Sequence, residues 1–173
     1  GINSSAASLP GDSEEFNVNL RNSMIAAWGC FNIWSANAIY NISDSTLLGI
    51  NTSTSPSNGF AVIALNNGTY AGNGIPPSNV FNISNTTIRN YMPDPETAEA
   101  NGVSEQMIRV ENEGQTKFNL QDVTFEDTTG IIDSVFYSYS MQGMPAMTDE
   151  ELAAYVYSNV EAVNVVVKDP LGN

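Results

Sequence analysis

Tyr40-Asn41-Ile42-Ser43-Asp44-Ser45-Thr46-Leu47, Phe81-Asn82-Ile83-Ser84-Asn85-Thr86-Thr87-Ile88 and Phe118-Asn119-Leu120-Gln121-Asp122-Val123-Thr124-Phe125 superimpose without a gap. The shared order is aromatic, Asn, aliphatic, any residue, Asp or Asn, any residue, Thr, large apolar. Positions one and three are apolar and fall on one face of an extended chain, as period-two alternation requires of a half-buried strand. Asp44, Asn85 and Asp122 then stand where the chain must bend, because Asn and Asp tolerate the left-handed backbone and bond to neighbouring peptide groups. Thr46, Thr87 and Thr124 open the next short strand. Weaker copies are read at Phe16-Asn17-Val18, which runs on to Ser23-Met24 with one extra residue, and at Val163-Asn164-Val165, which lacks the second half.

Upstream of each good copy lies a second β-rich run: Phe31 to Trp34, Phe60 to Leu65 and Met107 to Val110, with another from Ile131 to Ser140 after the third copy. One unit is therefore strand, loop, strand, bend, short strand. Stacking such units in register pairs each strand with its counterparts above and below and buries a continuous apolar column. The expectation is an all-β chain, a short parallel β-helix (β-solenoid) forming a single domain over 1–173. Loops protrude at 51–59, 71–79 and 91–104, where Gly and Pro collect, and Pro95 to Ala100 suits a helical turn. An N-terminal extension occupies 1–15. A helix is expected over 148–159, capped by Thr148 and Glu151 with Leu152, Tyr155 and Val156 as its stripe, and a final strand over 160–168. An antiparallel β-sandwich is the alternative, since short strands between Gly/Pro turns also fit it. A sandwich has no reason to repeat one bend.

Composition narrows the function. The 173 residues carry 19 acidic and 5 basic side chains, a formal net charge of −14, and no histidine. With so little positive charge to neutralise phosphates, nucleic acid and anionic membrane surfaces are poor partners. Without histidine there is no Ser-His-Asp or Cys-His catalysis, no His-liganded zinc and no His switch. No run of about 18 apolar residues is present, so no membrane insertion by a helix is expected. The start, Gly1-Ile2-Asn3-Ser4-Ser5, reads as a mature chain after removal of an export signal, or as a trimmed piece. Asn-x-Ser/Thr sites stand at Asn3, Asn41, Asn51, Asn67, Asn82 and Asn85, the mark of an exported glycoprotein if they are used; in a chain this rich in Asn, Ser and Thr several also arise by chance. Cys30 has no partner within the chain: it reads as a small buried hydrophobe beside Trp28 and Phe31, with an interchain disulfide as the alternative.

Candidate chemistry rests on carboxylates. Glu111 and Glu113 alternate on one strand face, Glu126 and Asp127 follow the third octet, and Asp149, Glu150 and Glu151 open the helix. A carboxylate pair can hydrolyse glycosides when its surroundings hold one protonated, but no spacing here singles out a pair, and solvated surface charge is the plainer reading. No cofactor is expected. Structural calcium stays open, although the chain lacks a D-x-[DN]-x-[DN]-G loop. Arg89 and Arg109 are the cations of the central region; in coil pattern alone the chain resembles β-helix polysaccharide lyases, and Arg109, between Ile108 and Val110, reads as an outward strand residue. Trp28, Phe31, Trp34, Tyr137, Tyr139, Tyr155 and Tyr157 could stack on sugars or, more plainly, pack in the core or an interface.

Asn41, Asn82 and Asn119, at octet position two, should point outward as a column. Glycans on adjacent rungs would collide, so the sequons are not expected to be filled together. The simple role is an amide ladder bonded along the stack, as in cross-β assemblies. A β-helix ends in open strands, and only one helix is on hand to cap it. The octets, the Asn/Ser/Thr-rich acidic composition, the sequons and the single cysteine resemble prokaryotic surface-layer or sheath proteins, in particular the tubular, amyloid-like cell-sheath proteins of methanogenic archaea. That resemblance implies a non-enzymatic structural subunit, outside the cell, whose partner is itself in a filament, sheath or surface layer. A glycan-binding or adhesive module is the alternative, followed by a carboxylate enzyme acting on polysaccharide.

Overall fold

The computed structural model describes residues 1–5, 16–34, 38–56, 60–66, 78–111, 115–139 and 159–173. The strands are β1 (Ile2–Ser5), β2 (Phe16–Arg21), β3 (Met24–Ala27), β4 (Phe31–Trp34), β5 (Ala38–Ser43), β6 (Thr46–Ile50) and β7 (Phe60–Asn66). They continue as β8 (Ser78–Tyr91), β9 (Glu105–Glu111), β10 (Gln115–Glu126), β11 (Ile132–Tyr139), β12 (Asn159–Val163) and β13 (Val166–Lys168). A short helix, α1 (Pro95–Ala100), precedes β9, where the Pro-led turn is expected; Asp94 caps it, its carboxylate accepting from the Thr97 amide at 3.1 Å.

Two sheets form. One runs in the order β1-β4-β7-β9-β11, the other β12-β10-β8-β5-β2, with β3, β6 and β13 flanking β8 and β10 beyond the bend. The chain thus alternates between the sheets and adds one layer to each at every pass. Every pairing among the described strands is parallel. The antiparallel sandwich is therefore not the architecture. Identical octets meet position for position only when their strands run the same way: Tyr40, Phe81 and Phe118 share a register, as do Asn41, Asn82 and Asn119.

The bend is a repeated left-handed residue. Asp44, Asn85 and Asp122 have φ of 52°, 46° and 55°. Asn22 and Asn164 do the same at 49° and 53°, which corrects the alignment of the terminal copies. Val18 pairs with Tyr40 and Val160 with Phe118, so the outer octets begin at Val18 and Val160. Phe16-Asn17-Val18 and Val163-Asn164-Val165 mimic the aromatic-Asn-aliphatic triplet but lie out of register. The last copy does have its second half, Val166–Lys168 pairing beyond the bend with Thr124 to Glu126. The expected 160–168 strand is accordingly two strands broken at Asn164. Of the 148–159 helix, only Asn159 lies among the described residues, and it begins β12.

Because Asn85 is exposed, its backbone demand is separable from packing. Asn85→Ala is expected to cost about 1 kcal/mol more than Asn85→Gly, since alanine meets the left-handed steric penalty and glycine does not. Urea unfolding of the two variants checks this; alanine the more stable would contradict it.

One apolar cluster joins the sheets. Phe31, Ile33, Ile63, Leu65, Ile108 and Val110 face Tyr40, Ile42, Phe81, Ile83, Phe118 and Leu120. The octet aromatics stack face to face, Tyr40 on Phe81 at 4.4 Å and Phe81 on Phe118 at 5.0 Å between ring centres. Phe31 meets Tyr40 and Phe81 edge-on, and Phe136 does the same to Phe118 and Phe125. Octet position six, which the sequence leaves unrestricted, also points inward. Ser45 and Thr86 are buried there and each donates its hydroxyl to the carbonyl two residues back, at 2.6 and 2.7 Å, while Val123 needs no such bond. Gly49 marks a close approach: a Cβ there would stand 2.7 Å from Phe60 Cζ and 2.8 Å from Val62 Cγ2.

Candidate functional site

The outward face of the second sheet carries the column at octet position two. Asn119 Nδ2 donates to Asn82 Oδ1 at 2.7 Å, Asn82 Nδ2 to Asn41 Oδ1 at 2.8 Å, and Asn41 Nδ2 to Asn19 Oδ1 at 3.0 Å. Asn19 escapes the sequence reading, which sets the first copy two residues out of register. The ladder has a direction: every described rung donates toward the N-terminal layer. It stops above Asn119, where the next rung is Glu161. A carboxylate has no proton to give, so among the described residues the buried Asn119 Oδ1 lacks a partner, and Glu161 instead pairs with Lys117 at 2.8 Å.

The bend residues form a second column. Asn85 Nδ2 donates to Asp44 Oδ1 at 2.7 Å and Asn164 Nδ2 to Asp122 Oδ1 at 3.0 Å, with the same polarity. Thr46, Thr87 and Thr124 are in register beside it, half-buried, between Met24 at one end and Val166 at the other. An open groove of about 520 Å³ runs across these layers, with Asn41, Asn82 and Asn119 in its lining, Arg21 at one end and Glu161 at the other.

A corner that the sequence does not disclose lies beyond octet position eight. Glu105 is fully buried, and its two carboxylate oxygens accept from Asn51 Nδ2 at 2.8 Å and Asn90 Nδ2 at 3.0 Å. Asn90 Nδ2 also faces Asp127 Oδ1 and Thr129 Oγ1, at 3.1 and 2.8 Å, while its Oδ1 accepts from the Thr128 amide. Asp127 Oδ1 in turn accepts from the amides of Thr129 and Gly130. Burial pushes the Glu105 carboxyl above its ordinary value, against the amide bonds that lower it, and the nearby Asp127 pushes the same way. The folded chain therefore holds that proton more tightly than the unfolded chain. The contribution of Glu105 to stability is full below its ordinary value of 4.5 and is lost as the pH rises through the raised one. Glu105→Gln, with no proton to lose, should remove this part of the pH dependence. Wild-type stability measured relative to the variant is expected to fall as the pH rises from 4.5. A difference independent of pH would contradict the assignment.

No protein family, curated protein or solved structure matches the chain.

The remaining expected residues divide clearly. Glu126 receives Arg89 from one neighbouring strand and Lys168 from the other; although desolvation pushes its carboxyl up, the two cations bring it below its usual value. It is thus a bridge across layers rather than free surface charge. Arg109 is half-buried in β9, in register with Ala64 and Tyr137. The side chain of Glu111, and Glu113, Asp149, Glu150 and Glu151, lie outside the described residues. Among the described residues no group of three or more Cys, Asp and Glu is placed to hold a metal ion. No described helix is long and apolar enough to cross a membrane.

Cys30 is fully buried, its thiol pushed up to about 12 by burial, and Sγ donates to the Ile25 carbonyl at 3.5 Å. That is the environment of a core hydrophobe; an interchain disulfide would require this layer to open. Of the sequons, Asn51 is fully buried on Glu105, Asn41 and Asn82 spend their amides in the ladder, and Asn85 is exposed at its bend. Asn3 lies in β1 opposite Asn32, and Asn67 lies outside the described residues. Phe31 is core, Trp28 is half exposed with its edge against Phe60, and Tyr137 is exposed. The side chains of Trp34 and Tyr139, and Tyr155 and Tyr157, lie outside the described residues.

Proposed function

We propose that the chain is a β-solenoid subunit that assembles with copies of itself, through stacked strands, into an extracellular filament, sheath or surface layer. The observation that carries this reading is that, among the described residues, both ends of the stack are open. β2 and β3 bound the second sheet on one side, β12 and β13 on the other, and β1 and β11 bound the first sheet. Among the described residues nothing pairs with the outer side of these strands, so each presents a row of backbone donors and acceptors there. Apolar side chains stand exposed at both ends, Met24 at 63% and Val163 at 60% among them. A stack that adds identical layers within the chain has the geometry to add them between chains. The Asn-, Ser- and Thr-rich composition, with few lysines to oppose edge pairing, supports the same reading. The resemblance to tubular archaeal sheath proteins supports the tube as the form of the assembly.

Sedimentation with negative-stain microscopy of the full chain tests the proposal. Filaments, hoops or sheets are expected, and a monomer at all concentrations would overturn it. The groove beside the ladder favours a second reading, a glycan-binding surface, because it offers amides with a guanidinium at one end and a carboxylate at the other. A glycan array read with the unassembled chain tests that; no binding would remove it.

A further inference from the structure

We infer that copies join head to tail, with the β2 and β3 edge of one copy seated on the β12 and β13 edge of the next, so that the parallel register and the asparagine ladder run on across the joint. The inference rests on the assembly reading above and adds which surfaces meet. Within the chain, each ladder amide donates toward the N-terminal layer. At that end Asn19 accepts through Oδ1, and its Nδ2 has no bond among the described residues, so a donor is left over. At the other end the rung is Glu161, which can only accept. Continuing the register by one layer puts Asn19 of one copy over Glu161 of the next, donor on acceptor.

The flanking positions follow the same translation. Asn22 falls over Asn164, whose Nδ2 is spent on Asp122 and whose Oδ1 remains to accept. Met24 falls over Val166, both exposed apolar side chains. Arg21 is the one charged residue of β1, β2 and β3 and arrives beside Glu161, already paired on its other side with Lys117. The two symmetric alternatives fail on the same groups. Facing β2 edges would run antiparallel, and with Asn19 set on Asn19 the ladder loses its donor-on-acceptor order, while facing β12 edges set in the same way would oppose two Glu161 carboxylates. A heterologous contact that carries the strands on in parallel does not close on itself, so it grows.

The test uses the full chain, Glu161→Lys and Asn19→Asp, each first shown to fold by circular dichroism and thermal melting, then followed by sedimentation. Each variant alone puts like charge, two donors or two acceptors into its joint, and its critical concentration for assembly is expected to rise at least about tenfold. Mixed, the variants co-assemble in alternation, because each joint then pairs either an unaltered Asn19 with an unaltered Glu161 or the introduced aspartate with the introduced lysine. Wild-type assembly with unimpaired single variants, or a mixture that stays monomeric, would overturn the head-to-tail joint while leaving assembly standing. Failure of the wild-type chain to assemble would overturn both.

Discussion

Phe81→Ala is expected to lower the stability of the chain by about 3–5 kcal/mol, the range for emptying a buried aromatic site. Phe81 is fully buried, stacked on Tyr40 and Phe118 and met edge-on by Phe31. Truncation therefore leaves a cavity in the middle of the column and removes ring pairs, each contributing about 0.5–1.5 kcal/mol beyond area alone. The layers on either side are tied to one another by backbone ladders and cannot close the gap without breaking register. Phe81→Leu keeps most of the volume and should cost less than half as much. Denaturant unfolding with an unchanged slope checks both values. A cost below about 1 kcal/mol for alanine would mean that the column is not what holds the sheets together.

Asn90→Asp is the second large effect, and the direction of its pH dependence is fixed by the corner around it. Asn90 Nδ2 distributes its two protons among Glu105, Asp127 and Thr129. An aspartate there withdraws that donor and sets a third carboxylate between two others, one of them fully buried. Leaving a buried carboxylate without its partner costs about 3–5 kcal/mol. Like charges raise the folded-state values of the group, so the deficit is greatest at neutral pH and shrinks as acid protonates the cluster. Thermal melts of wild type and variant between pH 4 and 8 are expected to converge toward the acid end. Curves that diverge there, or a variant as stable as wild type at pH 7, would contradict the network.

How much of this is legible in the sequence depends on whether a residue's role is local. The octets announce strand, bend and strand through neighbouring residues, and Asp44, Asn85 and Asp122 are bends for reasons internal to their own peptide. The outer copies are harder. They lose the aromatic at position one, Val18 and Val160 standing there, and a nearby triplet imitates it. The signal that survives is the Asn at position five, Asn22 and Asn164, and counting back from it gives the true register. The polar corner escapes a sequence reading because its members come from different passes of the chain. Carrying the period-two alternation two residues past the octet aligns Gly49, Asn90 and Asp127 on the inward face, which a reading that stops at Leu47, Ile88 and Phe125 does not reach. Asn51 has the pattern of a surface acceptor for sugar, yet its amide is committed to Glu105. The direction of the ladder is not legible at all, since Asn41, Asn82 and Asn119 are the same residue whichever way their amides point.

X-ray diffraction from an oriented pellet of the assembled chain tests the central claim most directly. The five layers that the described residues form in each sheet, at the roughly 4.7–4.9 Å spacing of paired strands, predict that reflection along the fibre axis, with a subunit repeat of about 24 Å. A repeat of about 48 Å would mean that copies meet face to face in pairs, and a strand spacing lying across the axis rather than along it would contradict assembly through stacked strands altogether.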